Sequence, residues 1–524
     1  MITDSNCTSQ ERASESALTK DTLVIGIFTI ASNLIALLRE VVFASKYGTS
    51  AVADAYILSF SVCSAIFLLV SSGNIAYVFI PRVQSLNKAS DKNAYYSTVL
   101  CISAAAAVLI TTVVILNSGG IISLIARGSS EHTSRIAAFI LTLIAPIIIF
   151  SSIGAVYQAA LNSRLSFAGP AAIPVLSNIV FISVLLFANG LSLQAQIAIA
   201  CLLSYSVWIL LYFPASKLYS FSGFSALTKK ISYSADFSLS LMPLMLVTGI
   251  DQVVFLVQKY SLSFMESGSI SAINYAYRLE SIPVGLIAAA FSTAIFPRFS
   301  NFFSQKDHEN LSGIFNYGLE AIILVSVPMT ALSIGLAKPI VEVLLMRGSF
   351  SNTDVYRVAF SLVIYSIGIV PQVLTVYLSR LVLSASGFRV LLLLAIITSA
   401  VFMPLVLVLP RYIGEIGIPA ATTVNALIYS LLLLYKAKGY VQIPFKYFTS
   451  LVVKSVLAAG SITFFSCLVF SKLTTLLLLP VVSVTTILAY LFIVYNLFPL
   501  LYCRSILTRG SIMLKSVFNN AGQN

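Results

Sequence analysis

Charge is what this chain has least of. Of its 524 residues, only 9% are Asp, Glu, Lys or Arg, against 58% hydrophobic, and its mean hydropathy is +0.97. Soluble domains carry roughly a quarter charged residues, so the chain reads as an integral membrane protein. Histidine occurs only twice, His132 and His308, both in loops between apolar runs. That leaves no ligand set for a transition metal. The six cysteines (Cys7, Cys63, Cys101, Cys201, Cys467, Cys503) form no C-x-x-C pair, and several lie within apolar runs. They read as small buried side chains rather than a disulfide framework or a zinc site. There is no G-x-x-x-x-G-K-[ST] loop, so the chain is not its own ATPase. No His–carboxylate or Cys–His constellation sits in a loop large enough for a soluble active site. The first 21 residues are polar without an apolar core, so no cleavable signal peptide is expected and the first span must itself start insertion. The expectation is a non-enzymatic membrane protein with no cofactor. Its work would be driven by a coupling cation or by the membrane potential, at about 2.3 kcal/mol per charge per 100 mV.

What is abundant is long apolar sequence. Runs of roughly 20 or more residues signal spanning helices. Fourteen are read here, at 22–45, 52–80, 94–116, 136–161, 168–188, 194–215, 236–258, 270–297, 314–336, 356–384, 389–409, 414–435, 449–471 and 474–499. Several carry internal prolines, such as Pro146, Pro243 and Pro371, which membrane helices tolerate when neighbours satisfy the freed backbone groups. The polar run Ser71-Ser72-Gly73-Asn74 is expected to break the second. Short alternating strands of the barrel type are missing. The fold class is therefore all-α, about 14 transmembrane helices.

The formal net charge is +13, with pI ≈ 9.4, which in a soluble protein would raise nucleic acid as a partner. Here the basic residues are spread over short loops as topology signals, and no nucleic-acid partner is expected. Eighteen of the 31 Lys and Arg residues fall in loops on the side of the N-terminus and nine on the other, leaving Arg39, Arg278, Arg380 and Lys454 within helices. By the positive-inside rule both termini are cytoplasmic.

The chain also repeats itself. Val41-Val42-Phe43 recurs as Val253-Val254-Phe255, and Phe79-Ile80-Pro81-Arg82 as Ile295-Phe296-Pro297-Arg298, with Ala55-Tyr56 and Ala276-Tyr277 between. Matches in this order suggest two related six-helix lobes followed by two C-terminal helices. The organisation expected is a cytoplasmic N-terminal tail (1–21), an N-lobe (22–216), a cytoplasmic linker (217–235), a C-lobe (236–438), helices 13 and 14 (449–499) and a basic cytoplasmic tail (500–524). Lobes paired in this way transport by rocking about a midplane site.

Arg39 and Arg278 lie at matching places in the two halves, inside the apolar stretches Ile25-to-Ala44 and Ile270-to-Phe296. An arginine in hydrocarbon costs at least about 2.5–3.5 kcal/mol on insertion scales, so it implies a cavity or a partner. Guanidinium is the preferred bidentate donor to phosphate, and two of them point to an anion-binding cavity. The alternative is that both snorkel to the outer interface. Glu40 follows Arg39 directly and Glu280 is two residues from Arg278. Residues so spaced do not face each other on a helix, so each acid is expected to pair with another helix as a packing or gating contact. Asp54 reads either as a helix N-terminal charge or as an outer gate. Asp251, with Gln252 beside it and Gln258 further on, is a candidate for ion coupling, the other role being an ion-pair partner. Glu320, Arg380 and Lys454 read as isolated or near helix ends.

Leu38-Arg39-Glu40, Tyr47-Gly48, Ala53-Asp54-Ala55-Tyr56 and Phe79-Ile80-Pro81 together resemble the opening of the MurJ (MviN) family. Gly268-Ser269-Ile270-Ser271, Tyr275-Ala276-Tyr277-Arg278-Leu279 with Pro283, and Met346-Arg347-Gly348-Ser349-Phe350 resemble later segments of the same family. The resemblance runs from about residue 22 to 500. It implies a member of the multidrug/oligosaccharidyl-lipid/polysaccharide exporter superfamily in the bacterial cytoplasmic (inner) membrane. The implied cargo is lipid II, the undecaprenyl-pyrophosphate-linked peptidoglycan precursor. It further implies that Arg39 and Arg278 line a central cavity, that Asp54 matches the family's helix-2 aspartate, and that helices 13 and 14 form a groove for the polyprenyl tail. Two family arginines are missing: their places fall at Asn33 and near Phe67. Gln258 stands where the family often has an acid or Asn, which puts a sodium site in doubt.

Three functions follow as expectations. The first is a lipid II flippase. The second is a flippase for another polyprenyl-linked glycan, such as an exopolysaccharide or O-antigen unit, favoured by the missing arginines. The third is a non-transporting scaffold for cell-wall assembly proteins. A drug exporter fits less well, because two cavity arginines repel cationic drugs. Membrane lipids are partners in every case.

Overall fold

In hydrocarbon each backbone N–H and C=O must be satisfied within its own segment, and the helix does this without an edge. The computed structural model describes residues 26–70, 74–164, 166–188, 190–212, 218–221 and 231–472. Among the described residues all regular structure is helical, with no strand. The first half holds α1 (Gly26–Tyr47), α2 (Ala51–Val70), α3 (Asn74–Ser85), α4 (Ala89–Leu116), α5 (Ser118–Ile125), α6 (Glu131–Ile144), α7 (Ile147–Asn162), α8 (Ala168–Phe187) and α9 (Leu193–Tyr212). The second holds α10 (Ile231–Leu262), α11 (Ser269–Ser304), α12 (His308–Gly335), α13 (Ala337–Leu345), α14 (Asn352–Ile367), α15 (Ile369–Ser386), α16 (Phe388–Ile413), α17 (Gly417–Ala437) and α18 (Phe445–Lys472).

Each of the first thirteen apolar runs coincides with a helix or a helix pair. The fourteenth run, the two tails and the break expected at Ser71-Ser72-Gly73 lie outside the described residues. Seven helical stretches among the described residues are long and apolar enough to cross a membrane, or nine when each bent pair is one crossing. Two of the runs share the single stretch Phe388–Ala437, and a shorter apolar helix covers Leu193–Ile209.

The repeat is plainer in the helices than in the residues. α4 and α5 start at Ala89 and Ser118, and α12 and α13 start at His308 and Ala337. Both intervals are 219 residues. The broken pair α6–α7 likewise recurs as α14–α15. The α6–α7 bend of 41° falls at Pro146, which lacks an N–H to continue the ladder. A 43° bend in α10 separates Tyr233–Leu246 from Thr248–Leu262. There Thr248 Oγ1 donates to the carbonyls of Leu244 (3.0 Å) and Met245 (3.3 Å), a back-bond that bends helices.

The chain packs as two compact units. One comprises the chain up to Tyr275 with Arg347–Asp354 and Met403–Glu415. Within it α2 packs on α6, α4 on α7, α8 on α9, and α10 along α2, α3 and α4. Small polar side chains join helices where apolar contact cannot discriminate protein from lipid: Ser59 Oγ donates to the Ala137 carbonyl at 2.7 Å, tying α2 to α6. Phe79, Tyr95, Tyr96, Tyr219 and Phe237 form a buried aromatic cluster at the end of α3, where Arg82 pairs with Asp236 at 2.8 Å. The other unit comprises Ala276–Met346, Val355–Phe402 and the described residues from Ile416. Here α12 packs on α15 and α18, and α15 on α17, around Phe299, Phe315 and Tyr377. The lobes drawn from the sequence repeat differ from these units. α10 and the first turns of α11 pack in the first unit, because compactness follows side-chain contact while the lobes follow the order of the repeat.

Candidate functional site

α1 carries Arg39 inward from its exposed face. The Arg39 side chain is 21% exposed, with Nη2 at 2.7 Å from Glu40 Oε1 and Cζ at 5.5 Å from the centre of the Phe181 ring on α8. Glu40 therefore does meet its own neighbour, which helix spacing alone did not suggest. Adjacent Cα–Cβ bonds do diverge, but the arginine stem is long enough to swing back to the next carboxylate. With one edge on Glu40 and one face on an aromatic ring, the guanidinium is held in place.

Asp54 lies in the first turn of α2 and is 3% exposed. Its Oδ2 accepts from the Gly268 N–H at 2.6 Å and its Oδ1 from the Ser271 N–H at 2.8 Å. The first N–H groups of a helix have no intrahelical acceptor, and a carboxylate there also meets the positive end of the dipole. Asp54 thus caps the N-terminus of α11 while standing in the first turn of α2.

The same place collects three glycine turns, each quoted above as a separate motif. Carbonyls at the end of α1 lack intrahelical donors, and backbone and side-chain donors from the later turns meet them. Ser349 N–H donates to Ser45 O at 2.8 Å, Ser349 Oγ to Lys46 O at 3.1 Å, and Tyr275 Oη to Gly48 O at 2.8 Å. Thr49 Oγ1 donates to Asp354 Oδ1, while Asp354 Oδ2 accepts from Ser351 N–H at 2.7 Å. Gly268 (φ +91°) and Gly348 (φ +58°) are required: an added Cβ would lie 2.4 Å from Thr49 O and 2.2 Å from Ser45 O respectively. Thr49, Tyr275, Ser349 and Asp354 were missed as functional residues. The signal that could have found them is the Gly-Ser and Asn-x-Asp turn chemistry beside the motifs.

In the second unit, Arg278 is on an exposed face of α11 while Glu280, two residues on, is 1% exposed. Glu280 Oε1 accepts from Gln372 Nε2 on α15 at 2.7 Å, a contact with another helix. On α10, Asp251 is exposed and Gln258 half-buried. Seven residues apart, they share a helix face. Glu320 corrects an expectation. It is 2% exposed in the middle of α12 and accepts from Tyr447 Oη on α18 at 2.9 Å, so it is neither isolated nor near a helix end. Cys63, Cys101 and Cys201 are buried free thiols.

These features coincide with a family. The model of the lipid II flippase MurJ family matches residues 43–493, a span that begins just after Arg39 and Glu40. The lipid II flippase MurJ of Burkholderia cenocepacia is 25% identical over 461 residues, covering 84% of this chain and 88% of that protein. The probable lipid II flippase MurJ of Thermotoga maritima is 26% identical over 407 residues, covering 78% and 82%. Among solved structures, lipid II flippase MurJ in an inward closed conformation superposes with a TM-score of 0.77 at 23% identity, over 90% of this chain and 99% of that one. A multidrug resistance MATE family transporter of the MOP superfamily, inward-facing, gives 0.64 at 14% identity over 78% and 94%. The apolar helices and this shared fold make the protein a multi-pass membrane protein. With the family match running across most of its length, the chain belongs to the MurJ family of lipid II flippases.

Proposed function

We propose that this protein moves lipid II from the cytoplasmic to the outer leaflet of the bacterial cytoplasmic membrane by alternating access, with both termini cytoplasmic and fourteen crossings. The observation that carries the reading is the family match over residues 43–493. The physical task fits the residues. A pyrophosphate and a sugar headgroup must pass about 30 Å of hydrocarbon, and guanidinium donors replace the hydration that phosphate loses. Arg39 and Arg278 are the residues we assign as such donors. Arg39 is oriented by Glu40 and Phe181, so little side-chain entropy is lost when the anion arrives. The Asp54 cap and the glycine turns serve as the outer seal, to be broken when the headgroup leaves. Asp251 and Gln258 are kept as the ion-coupling candidates, beside the membrane potential. The tail would lie against helices 13 and 14.

A second reading keeps the mechanism and changes the glycan. It is favoured by Phe67, which stands near the place of a family arginine and is packed edge-on against Trp208, with ring centres 6.0 Å apart. Asn33, at the other missing arginine, is an exposed neutral side chain on α1. Fewer positive charges hold the pyrophosphate less tightly, which suits another lipid-linked sugar. The test is growth of a host whose own lipid II flippase is depleted. Restoration by this chain is expected. Failure there, with rescue of a strain lacking an O-antigen or exopolysaccharide flippase, would replace the first reading by the second.

A further inference from the structure

Five carboxylate side chains are buried among the described residues: Glu40, Asp54, Glu280, Glu320 and Asp354. Four are matched to donors as described above. Glu280 differs: its Oε1 is met by the Gln372 amide, whereas its Oε2 is buried without a hydrogen-bonding partner among the described residues. The residues about it belong to one compact unit. Gln372 comes from α15, and Gly368, at the α14–α15 break, makes the room. A Cβ there would lie 3.0 Å from Gln372 Nε2 and 3.1 Å from Thr423 Oγ1 of α17. Thr423 itself donates to the Ile364 carbonyl at 3.0 Å. The ionisable groups nearest Glu280 are Tyr277 and Arg278 on its own helix and Tyr365 on α14. Beyond them α15 carries Arg380 two turns further on, α14 carries Arg357 two turns back, and the basic residue of α17 is Lys436 in its last turn. Arg278 is exposed on α11, whereas Glu280 is buried.

A carboxylate taken out of water with one neutral amide donor is expensive, because its second oxygen keeps its full desolvation cost. A proton on Oε2 removes that charge at the atom lacking a donor. Gln372 is fitted to both forms, since its amide can donate to Oε1 either way. We propose that Glu280 is a proton-exchange site, taking a proton when buried against α15 and releasing it when α11 moves so that water reaches it. Its place two residues from Arg278 would link proton release to movement of the anion-binding face of the same helix. Proton binding stands on this geometry alone; its use in a transport cycle rests on the flippase reading.

The experiment uses the purified full chain in lipid nanodiscs. Infrared spectra taken across a pH series should contain a protonated-carboxyl C=O stretch that disappears in Glu280→Gln, with thermal melting to verify folding. Glu280→Asp, which keeps a titrating carboxyl and should shift the band, serves if the Gln variant does not fold. In proteoliposomes carrying labelled lipid II, the pH dependence of transport should flatten in Glu280→Gln. A band unchanged in that variant overturns proton binding, the carboxylate then being ionised and hydrated. Loss of the band with pH dependence intact, or pH dependence lost in Asp251→Asn but kept in Glu280→Gln, overturns the coupling role. If the unaltered protein moves no lipid II, the flippase reading fails, while the infrared band still decides whether Glu280 holds the proton.

Discussion

Replacing Asp54 by alanine removes the acceptor for two buried N–H groups at once. The bonds from Gly268 and Ser271 are 2.6 and 2.8 Å long and end on a side chain only 3% exposed. Hydrogen bonds to a charged group contribute about 1.5–3 kcal/mol each, and a buried donor left alone costs about 1–3 kcal/mol. Helix-cap deletions on their own cost about 0.5–2 kcal/mol. Because both donors lie in the first turn of one helix, the losses overlap, and the expected total is about 3 kcal/mol. Asp54→Asn keeps one acceptor oxygen and turns an amide N–H toward the other donor, so roughly half that loss is expected. At about 2–4 °C per kcal/mol for a domain of some 200 residues, Asp54→Ala should lower Tm by roughly 6–12 °C. A thiol-reactive dye can follow the melt, since Cys63, Cys101 and Cys201 are buried and unbridged. The Asn variant should fall between the other two. An alanine variant melting within about 1 °C of the parent would show that the carboxylate does not hold the α11 N-terminus, and the seal argument would fail with it.

Arg39→Ala and Arg278→Ala should each abolish rescue of a flippase-depleted host at normal expression, with Lys retaining part, as a point charge without the bidentate fork would; normal growth of both alanine variants would leave snorkelling as the better account. Gly348→Ala should cost about 1–3 kcal/mol beyond Gly387→Ala. Both have positive φ, but a Cβ at Gly348 meets Ser45 O at 2.2 Å while Gly387 faces open space; equal melting temperatures would remove the close approach as a cause. A cysteine placed beside Arg127 should label with an impermeant thiol reagent from outside the cell and one beside Lys438 should not, and the reverse pattern would invert the orientation of every loop.

The glycine turns show how partial a motif is. Tyr47-Gly48, Gly268-Ser269 and Arg347-Gly348 stand out in the sequence as three unrelated resemblances. Nothing local says that their backbones approach each other, because that depends on residues some 220 and 300 positions apart meeting across loops. Glu40 shows the opposite failure. Helix periodicity places its Cβ away from that of Arg39, yet the ion pair forms because a long side chain reaches positions that the backbone repeat does not describe.

The sequence by itself determined that the chain lives in a bilayer, that it is helical and where its described helices run, and it pointed to a repeat between two halves. Those properties follow from hydropathy, from the hydrogen-bonding demand of a backbone in hydrocarbon and from a repeat, all of which are additive along the chain. It also named Arg39, Asp54, Arg278 and Glu280 as charges that need a reason to be where they are. Only the tertiary structure decided what each one meets: Asp54 on the N-terminus of α11, Arg39 between Glu40 and Phe181, and Glu280 with one oxygen on Gln372 and the other without a donor. The reason is physical. In an apolar medium the cost of a charge is set by a sequence, but its compensation is a matter of donors within about 3 Å, and those donors come from wherever the fold brings them.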